Sequence, residues 1–536
     1  MTKVLVIGGA GVFGGHLARE LAAMGLSVIV AGRNLERAQT TAHSIGGTAV
    51  WLDRDRVTVE ELHATGAAVV VDAAGPFQGG EPTVARAAME AGLHYVDLAD
   101  ARDFVTGFAA LDGEARAAGV TLLTGASSTP ALSHAVLDHL TEGWRGIDHV
   151  EAAISPGARA PRGRAVMEAI LTWLGRPVQV FSDGGWRQRR GWGGLYRRQM
   201  GAAGRRWLSL CETPDLDLMA ARYRPTRSAL FLAGLEPPLL HLGAWMLGGL
   251  SALTGVKLRA AAPALTAMAK PFAMIGDDRG AMRVEARGLD AEGRPARAVW
   301  SLTAPPGRGP VTPALPAAAA VAAIFDGLTK PGAGACVGLL SLTDMAPFLA
   351  RHGLATAIEV TPLALFERAA AGFEELPTPM KALHRTMGRS VWRGRASTQG
   401  AQTRMGRLVA AVFGFPREQA DAPVEVAIDA GPEGSVWRRT IGRDRFRSVL
   451  SDRPGGVSER FGLLTFDLRL SASPERLTYE VAGWRLGSLP LPGRLAPETR
   501  THEAVDDRGR FTFDVEIRAP LVGRLVRYRG WLVRAD

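Results

Sequence analysis

The sequence predicts an α/β fold in three parts: a doubly wound parallel sheet at the N-terminus, a mixed α/β region behind it, and an antiparallel β-rich (α+β) domain at the C-terminus. Three observations carry this. Residues 3–7 form a β-branched run that breaks into a glycine-rich turn and then a helical pattern, the opening of a βαβ unit. Further apolar runs without polar alternation stand at 27–31, 48–52 and 67–72, as expected of strands covered on both faces. Late in the chain the pattern becomes strict alternation: Leu464, Phe466, Leu468 and Leu470, then Leu477, Tyr479 and Val481, then Phe511, Phe513, Val515 and Ile517, the mark of half-buried antiparallel strands.

The first element is a strand at 3–7, and a helix is expected at 16–24. The turn between them holds Gly9, Gly11 and Gly14 in the pattern G-x-G-x-x-G. In a dinucleotide-binding Rossmann turn the first glycine permits the bend, the second lets a pyrophosphate approach, and the third seats the helix on the strand. Backbone N–H groups at the helix start then attract the phosphates. Alone, a glycine-rich turn has a plain packing explanation. The second strand, 27–31, adds context, because it ends in Gly32, Arg33 and Asn34, where an NAD enzyme carries an acid for the ribose hydroxyls. An arginine there pairs with a 2′-phosphate, so NADP is expected over NAD; Arg37 either helps or is a solvated helix residue. The third strand, 48–52, is followed by Asp53, either an adenine contact or a surface acid. The fourth, 67–72, runs into Ala73, Ala74, Gly75, Pro76 and Phe77, small residues at a strand's carboxyl end that leave room for the nicotinamide ribose. The expected cofactor set is therefore Gly8, Gly9, Gly11, Val12, Phe13, Gly14, Arg33, Asn34, Asp53, Ala73, Ala74, Gly75 and Pro76.

These motifs, with 91–97 (AGLHYVD), occur in an order that resembles the saccharopine dehydrogenase (reductase-type) family. Residues 122–130 (LLTGASSTP) resemble that family's exit from the Rossmann domain and 316–338 its late helix and glycine-containing stretch, so the similarity spans about residues 1–350. The resemblance implies an NADP-binding domain over 1–126 and a substrate domain over 127–355 that returns a helix to the first. It does not imply saccharopine as substrate, since no set of positions for two amino-acid carboxylates can be matched. The related trans-acting enoyl reductases share the signatures, which keeps a bulky apolar substrate open. Residues 356–536 resemble an uncharacterised domain often fused behind such regions.

In the middle region strands are expected at 147–155, 177–182, 282–288 and 296–303. Residues 173–207 mix Trp186, Trp192, Tyr196 and Trp207 with seven arginines between Arg187 and Arg206. Aromatics among arginines suit an interface with phospholipid or phosphate; an arginine-rich loop packing its tryptophans on the domain is slightly favoured over it. Residues 228–256 are the most hydrophobic stretch, but Glu236, Pro237, Pro238 and His241 interrupt it. The uncharged remainder is too short for a bilayer core of about 30 Å, so a buried or interfacial helix hairpin is expected, and peripheral membrane contact through it stays open as the lesser alternative. In the last third, strands at 424–430, 435–451 and 525–533 and a helix at 404–413 complete a curved sheet, either filled by its own side chains or enclosing a lipid-type or apolar-ligand pocket.

Composition narrows the classes. The chain has 536 residues, a formal charge of +10 and 47% hydrophobic residues, which fits a multidomain globular protein. Its lysines are only Lys3, Lys257, Lys270, Lys330 and Lys381, so the positive charge is a diffuse arginine bias, and nucleic acid is not expected as a partner. Two cysteines, Cys211 and Cys336, fit a reducing compartment, and a glycine-broken N-terminus is no signal peptide; the expected location is cytoplasmic, with membrane association left open. No metal-protease, Walker or nucleophile-elbow motif is present. Hydride transfer needs few protein groups, and the candidates for proton donor are Tyr95 and His94, with Asp97, Asp100, Ser127, Ser128 and Thr129 nearby. The expected function is an NADP-dependent oxidoreductase acting on an imine, carbonyl or enoyl group; the alternative is a non-catalytic NADP(H) binder coupled to a lipid- or partner-binding C-terminal domain.

Overall fold

The structure, a computed structural model, describes residues 2–161, 170–256, 267, 270–431, 434–453, 455–520 and 522–535. The chain divides into two compact units, residues 1–291 with 298–360 and residues 292–297 with 361–536.

In the first unit β1 (Lys3–Ile7), α1 (Val12–Ala23), β2 (Ser27–Gly32), β3 (Thr48–Trp51), β4 (Val69–Asp72), β5 (His94–Asp97) and β6 (Thr121–Thr124) build a parallel sheet of order β6-β5-β4-β1-β2-β3. Val4, Val6, Val28, Val30 and Val71 bury one face, and Leu5, Ile7, Ile29, Val70 and Leu122 the other. That is why these strands read as unbroken apolar runs. The late segment returns more than a helix. After the buried helix Leu315–Phe325, the strand Gly332–Ala335 pairs parallel with β6 as the seventh strand of the sheet. Helix Leu342–Arg351 then closes on α1, where buried Glu20 takes Arg351 at 2.5 Å and His352 at 2.7 Å.

The expected substrate region shares a core with the Rossmann sheet: Val150, Leu208, Phe231 and Val284 belong to the same apolar cluster as Val4 and Val30. Its mixed sheet runs Tyr196–Gln199, Arg205–Leu210, Ser228–Ala233, Gly146–Ser155, Gly280–Leu289, Pro295–Ala304, Ala355–Pro362, with the hairpin Pro177–Ser182 and Gly185–Arg190 attached at Ser228–Ala233. Two expectations are corrected. The Trp-Arg segment is not a loop but largely strand, and two of its arginines are taken internally: Arg198 pairs with buried Glu151 at 2.9 Å, and Arg206, itself buried, with Asp277 at 3.0 Å, while Arg187, Arg189, Arg197 and Arg205 are exposed. Residues 228–256 are not a helix hairpin but a buried strand followed by one helix, Pro238–Thr254. Residues 228–233 (SALFLA) are held extended by parallel pairing with Gly146–Ser155. Among the described residues no helix is long and apolar enough to cross a membrane.

The second unit is a closed β-barrel. Successive antiparallel strands from Gly388–Gln399 to Gly523–Arg534 pair with their neighbours, the last returns to the first, and Leu464–Ala472 pairs with Arg476–Leu486 to complete the ring. The expected single run at 435–451 is a hairpin, Gly434–Ile441 and Asp444–Arg453.

In the first unit Asp215 is fully buried, with one oxygen accepting from Ser133 Oγ at 2.5 Å and the other unpartnered. Burial raises its carboxyl to about 7. The unfolded carboxyl titrates near 4, so its contribution to stability is full below that value and is lost as pH rises through about 7. Asp215→Asn, which keeps the shape and cannot ionise, should therefore gain on the parent in Tm by a few degrees between mildly acid and mildly alkaline buffer. A difference that stays flat with pH in thermal melts contradicts this.

Candidate cofactor and substrate site

The ends of β1, β2 and β4 enclose a cleft of about 430 Å³. Gly8 leaves β1 with φ of +76°, and a Cβ there would lie 2.8 Å from the Cβ of Ala74, so the turns after β1 and β4 touch through their backbones. A Cβ on Gly14 would sit 2.3 Å from the Gly8 carbonyl oxygen, and α1 rests on the turn only because that carbon is absent. Gly11 differs. It is extended (φ −80°, ψ 179°), lines the cleft, and a Cβ on it would meet only the Gly8 oxygen, at 3.1 Å. The first helical bond of α1 runs from Gly15 N–H to Gly11 O at 2.9 Å, so the N–H groups of Val12, Phe13 and Gly14 sit in the first turn, before intrahelical bonding begins. A cradle that a side chain would fill, beneath a helix N-terminus, fits a pyrophosphate.

Arg33 and Arg37 stand on the wall at the end of β2, and Arg37 Nη2 donates to Ala10 O at 3.2 Å. Asn34 also lines the cleft, but its Oδ1 accepts from Arg37 N–H at 2.9 Å and so caps α2 (Leu35–Ser44). Gly8, Val12 and Phe13 line the cleft, as do Ala73, Ala74, Gly75 and Pro76 opposite them. Gly9 and Gly14 act behind this surface, a Cβ on Gly9 meeting the Val6 carbonyl oxygen at 3.0 Å. Asp53 is not among the lining residues; it caps the short helix Arg54–Arg56 through Asp55 N–H.

The turn after β4 is held by charge. Arg54 Nε donates to buried Asp72 at 2.7 Å, its Nη1 reaches the Pro76 carbonyl at 3.3 Å, and its guanidinium lies 4.6 Å over the Phe77 ring. Burial raises the Asp72 carboxyl against the pull of Arg54. Asp97 pins the neighbouring strand ends likewise, accepting from Ala99 N–H at 2.9 Å, Gly125 N–H at 2.7 Å and Thr124 Oγ1 at 2.9 Å.

A second cavity, of about 450 Å³, shares Pro76, Gln78 and Asp100 with the first. Ile154, Ile170, Trp173, Phe231 and Leu235 give it apolar walls. Helix Pro238–Thr254 backs those walls, packing Leu240, Ala244 and Leu247 on the cluster of Leu174, Trp192 and Leu235. Three buried polar atoms on its lining, Thr129 Oγ1, Trp192 Nε1 and Thr213 Oγ1, have no hydrogen-bond partner. Its arginine, Arg102, is taken by Asp217 at 2.5 Å and Glu212 at 3.1 Å. At the junction Asp100 receives Gln78 Nε2 at 3.1 Å and keeps its carboxyl exposed to the cleft.

The expected proton donors stand elsewhere. His94 is at the amino end of β5, its Nδ1 accepting from Thr121 N–H at 3.0 Å. Tyr95 is buried, its hydroxyl donating to Asp97 at 3.0 Å and its ring stacked on Phe108. Neither lines either large cavity. Of the nearby candidates Asp100 and Thr129 are brought to the second cavity. Thr213 carried no sequence signal and Trp192 stood out only as an aromatic among arginines, because the middle sheet alone brings them to the cavity.

Residues 4–123 match the family described as "Saccharopine dehydrogenase NADP binding domain", and residues 376–532 match "Domain of unknown function (DUF4166)". By the first match the N-terminal domain is of the saccharopine dehydrogenase type. Among solved structures, saccharopine dehydrogenase (L-Glu forming) of Saccharomyces cerevisiae is 15% identical over 67% of this chain and 100% of its own, with a TM-score of 0.49. Two smaller proteins align with part of the chain: BdcA of E. coli, 20% identical over 23% of this chain and 82% of its own at a TM-score of 0.18, and the FolM alternative dihydrofolate reductase 1 of Brucella canis, 21% identical over 18% and 55% at 0.16. No curated protein matches the chain in sequence. The match to the saccharopine dehydrogenase NADP-binding family stops within β6, whereas the core continues into the middle sheet.

Gly11→Val should fold, since its backbone is ordinary and the new side chain enters open cleft, yet NADPH affinity should fall at least about tenfold, or ~1.4 kcal/mol. Gly14→Ala, which forces α1 off its turn, should lower Tm. Circular dichroism, melting and NADPH titration check both; a Gly11→Val protein with parental NADPH affinity contradicts the cradle.

Proposed function

We propose that the first unit is an NADP-dependent oxidoreductase that reduces a carbonyl, imine or enoyl group on a bulky, uncharged, apolar substrate. The observation that carries this reading is the junction of the two cavities at Pro76, Gln78 and Asp100, with the phosphate cradle on one side and apolar walls on the other. NADPH bound in the first cavity supplies hydride. The chain's residues do the rest. Apolar walls hold the substrate by burial, worth about 25 cal/mol per Å², and exclude water. The unpaired Thr129 and Thr213 hydroxyls and Trp192 N–H are donors for a substrate oxygen or nitrogen, since a buried donor left unmet costs roughly 1–3 kcal/mol. Asp100, held by Gln78 at the junction of the two cavities, is placed to deliver a proton.

The charge of the second cavity argues against amino-acid substrates. Asp100, Asp103 and Glu212 face a single arginine that is already paired, so a substrate carboxylate would find no free cation among the described lining residues. A lipid surface suits such a substrate as its source. The helix that backs the cavity leaves Leu239, Met246, Leu250 and Leu253 exposed on its other side.

Three measurements test this. Arg33→Ala should cost NADPH about 1.5–3 kcal/mol, the range for a charge-assisted contact, and NADH little; equal affinity of the parent for both cofactors contradicts the preference. In a panel of aldehydes, ketones, imines and enoyl compounds, NADPH oxidation should rise with apolar size, and Asp100→Asn should lose roughly 10²-fold or more in turnover with NADPH affinity kept. NADPH bound with no oxidation across the panel favours a cofactor-sensing role instead. Leu250→Glu with Leu253→Glu should release the chain from liposomes in co-sedimentation, and a parent that does not sediment with them removes the lipid-surface source.

A further inference from the structure

The second unit holds a cavity that the reductase reading does not use. Its ring has ten strands once the two-residue strand Leu489–Pro490, attached at the side, is set apart. An eight-strand ring is filled by its own side chains or holds one small ligand, and diameter grows with strand number; here a cavity of about 280 Å³ remains. Inward positions such as Val426, Phe466, Leu468, Phe511, Val515 and Leu532 make it apolar. An unfilled apolar void destabilises in proportion to its volume, a cost that a bound apolar molecule removes.

The few charges inside are matched to one another. Arg439 donates to Glu459 at 3.4 Å and lies 4.9 Å over the Trp437 ring. Glu503 meets His384 at 2.6 Å, and the His384 ring packs tilted on Phe366, so helices Leu365–Ala369 and Thr378–His384 fill one end of the barrel. Because strand direction alternates, the connections at 400–418, 442–443, 462–463 and 487–497 gather at the other end. There helix Arg404–Val412 and the segment behind it put Val409 and Phe413 on the cavity, while Met405 and Leu408 are exposed beside the exposed turn residues Leu463, Leu489 and Leu495. An apolar rim at an apolar cavity is a mouth for apolar molecules.

We propose that this barrel binds an uncharged lipid-like molecule, one apolar chain or ring system with at most a neutral polar head, which enters beside helix Arg404–Val412. A carboxylate head would find its one arginine already paired and two glutamates on the lining.

The test uses the full chain and Nile red. The dye should bind with enhanced emission, and long straight-chain alcohols should displace it at concentrations at least about tenfold below those of the matching carboxylates. Val426→Trp, which fills the cavity, should weaken dye binding about tenfold or more while NADPH affinity stays unchanged, and Leu408→Glu, on the exposed rim, should slow dye uptake in a chain whose fold is not at risk. Gly11→Val should leave dye binding intact. Absence of dye binding, displacement by carboxylates as effective as by alcohols, or loss of dye binding in Gly11→Val would each overturn the proposal.

Discussion

A parallel strand covered on both faces can meet a ligand only at its end. Val4 and Val6 face one core and Leu5 and Ile7 the other, so β1 offers chemistry nowhere along its length, and the same holds for its neighbours. Strand order reverses at β1, with β4 on one side and β2 on the other, and the crevice opens at the carboxyl ends there. Everything in the site follows from this constraint. The turns after β1 and β4 must approach until a Gly8 Cβ would strike Ala74, and α1 must lie on the Gly8 carbonyl.

Such close turns need fastening, and buried carboxylates supply it. Asp72 takes Arg54 and the Ala74 N–H; Asp97 takes the backbone of Ala99 and Gly125. Burial raises both carboxyls, that of Asp97 to about 7, so their acceptor bonds are made against desolvation. These acids belong to the scaffold. Asp100, a few residues on, keeps its carboxyl on the cleft, which separates a fastening acid from one available to a substrate.

What was legible in the sequence follows the same division. The cradle could be read because glycines at fixed spacing have few other uses, and β1, β2 and β4 because double burial leaves no polar alternation. The middle sheet was read in part: the arginines at 187–206 suggested a loop or a surface, since the acids that take Arg198 and Arg206, Glu151 and Asp277, lie far along the chain. The barrel strands with apolar inward rows were visible, but Gly388–Gln399, Gly456–Phe461 and Glu498–Val505 were not. Their inward residues include Ser390, Thr398, Glu459 and Glu503. Polar residues that line a cavity or meet a buried partner erase the alternation by which a strand is recognised, so closure of the ring could not be read. His94 and Tyr95 stood out by type, since both suit proton transfer, whereas their register on β5, which puts one at the amino end of the strand and the other in the core, was not legible.

The account rests on a cofactor cleft that opens into an apolar acceptor cavity at Pro76, Gln78 and Asp100. The most direct measurement is an experimental structure of the full chain with NADPH bound. It should show the pyrophosphate over Gly11, the 2′-phosphate at Arg33 and the nicotinamide ring against Pro76, with its reactive face toward the cavity of Trp173 and Phe231. A nicotinamide that points away from Gln78 and Asp100, or a cofactor held outside the cleft, would contradict it.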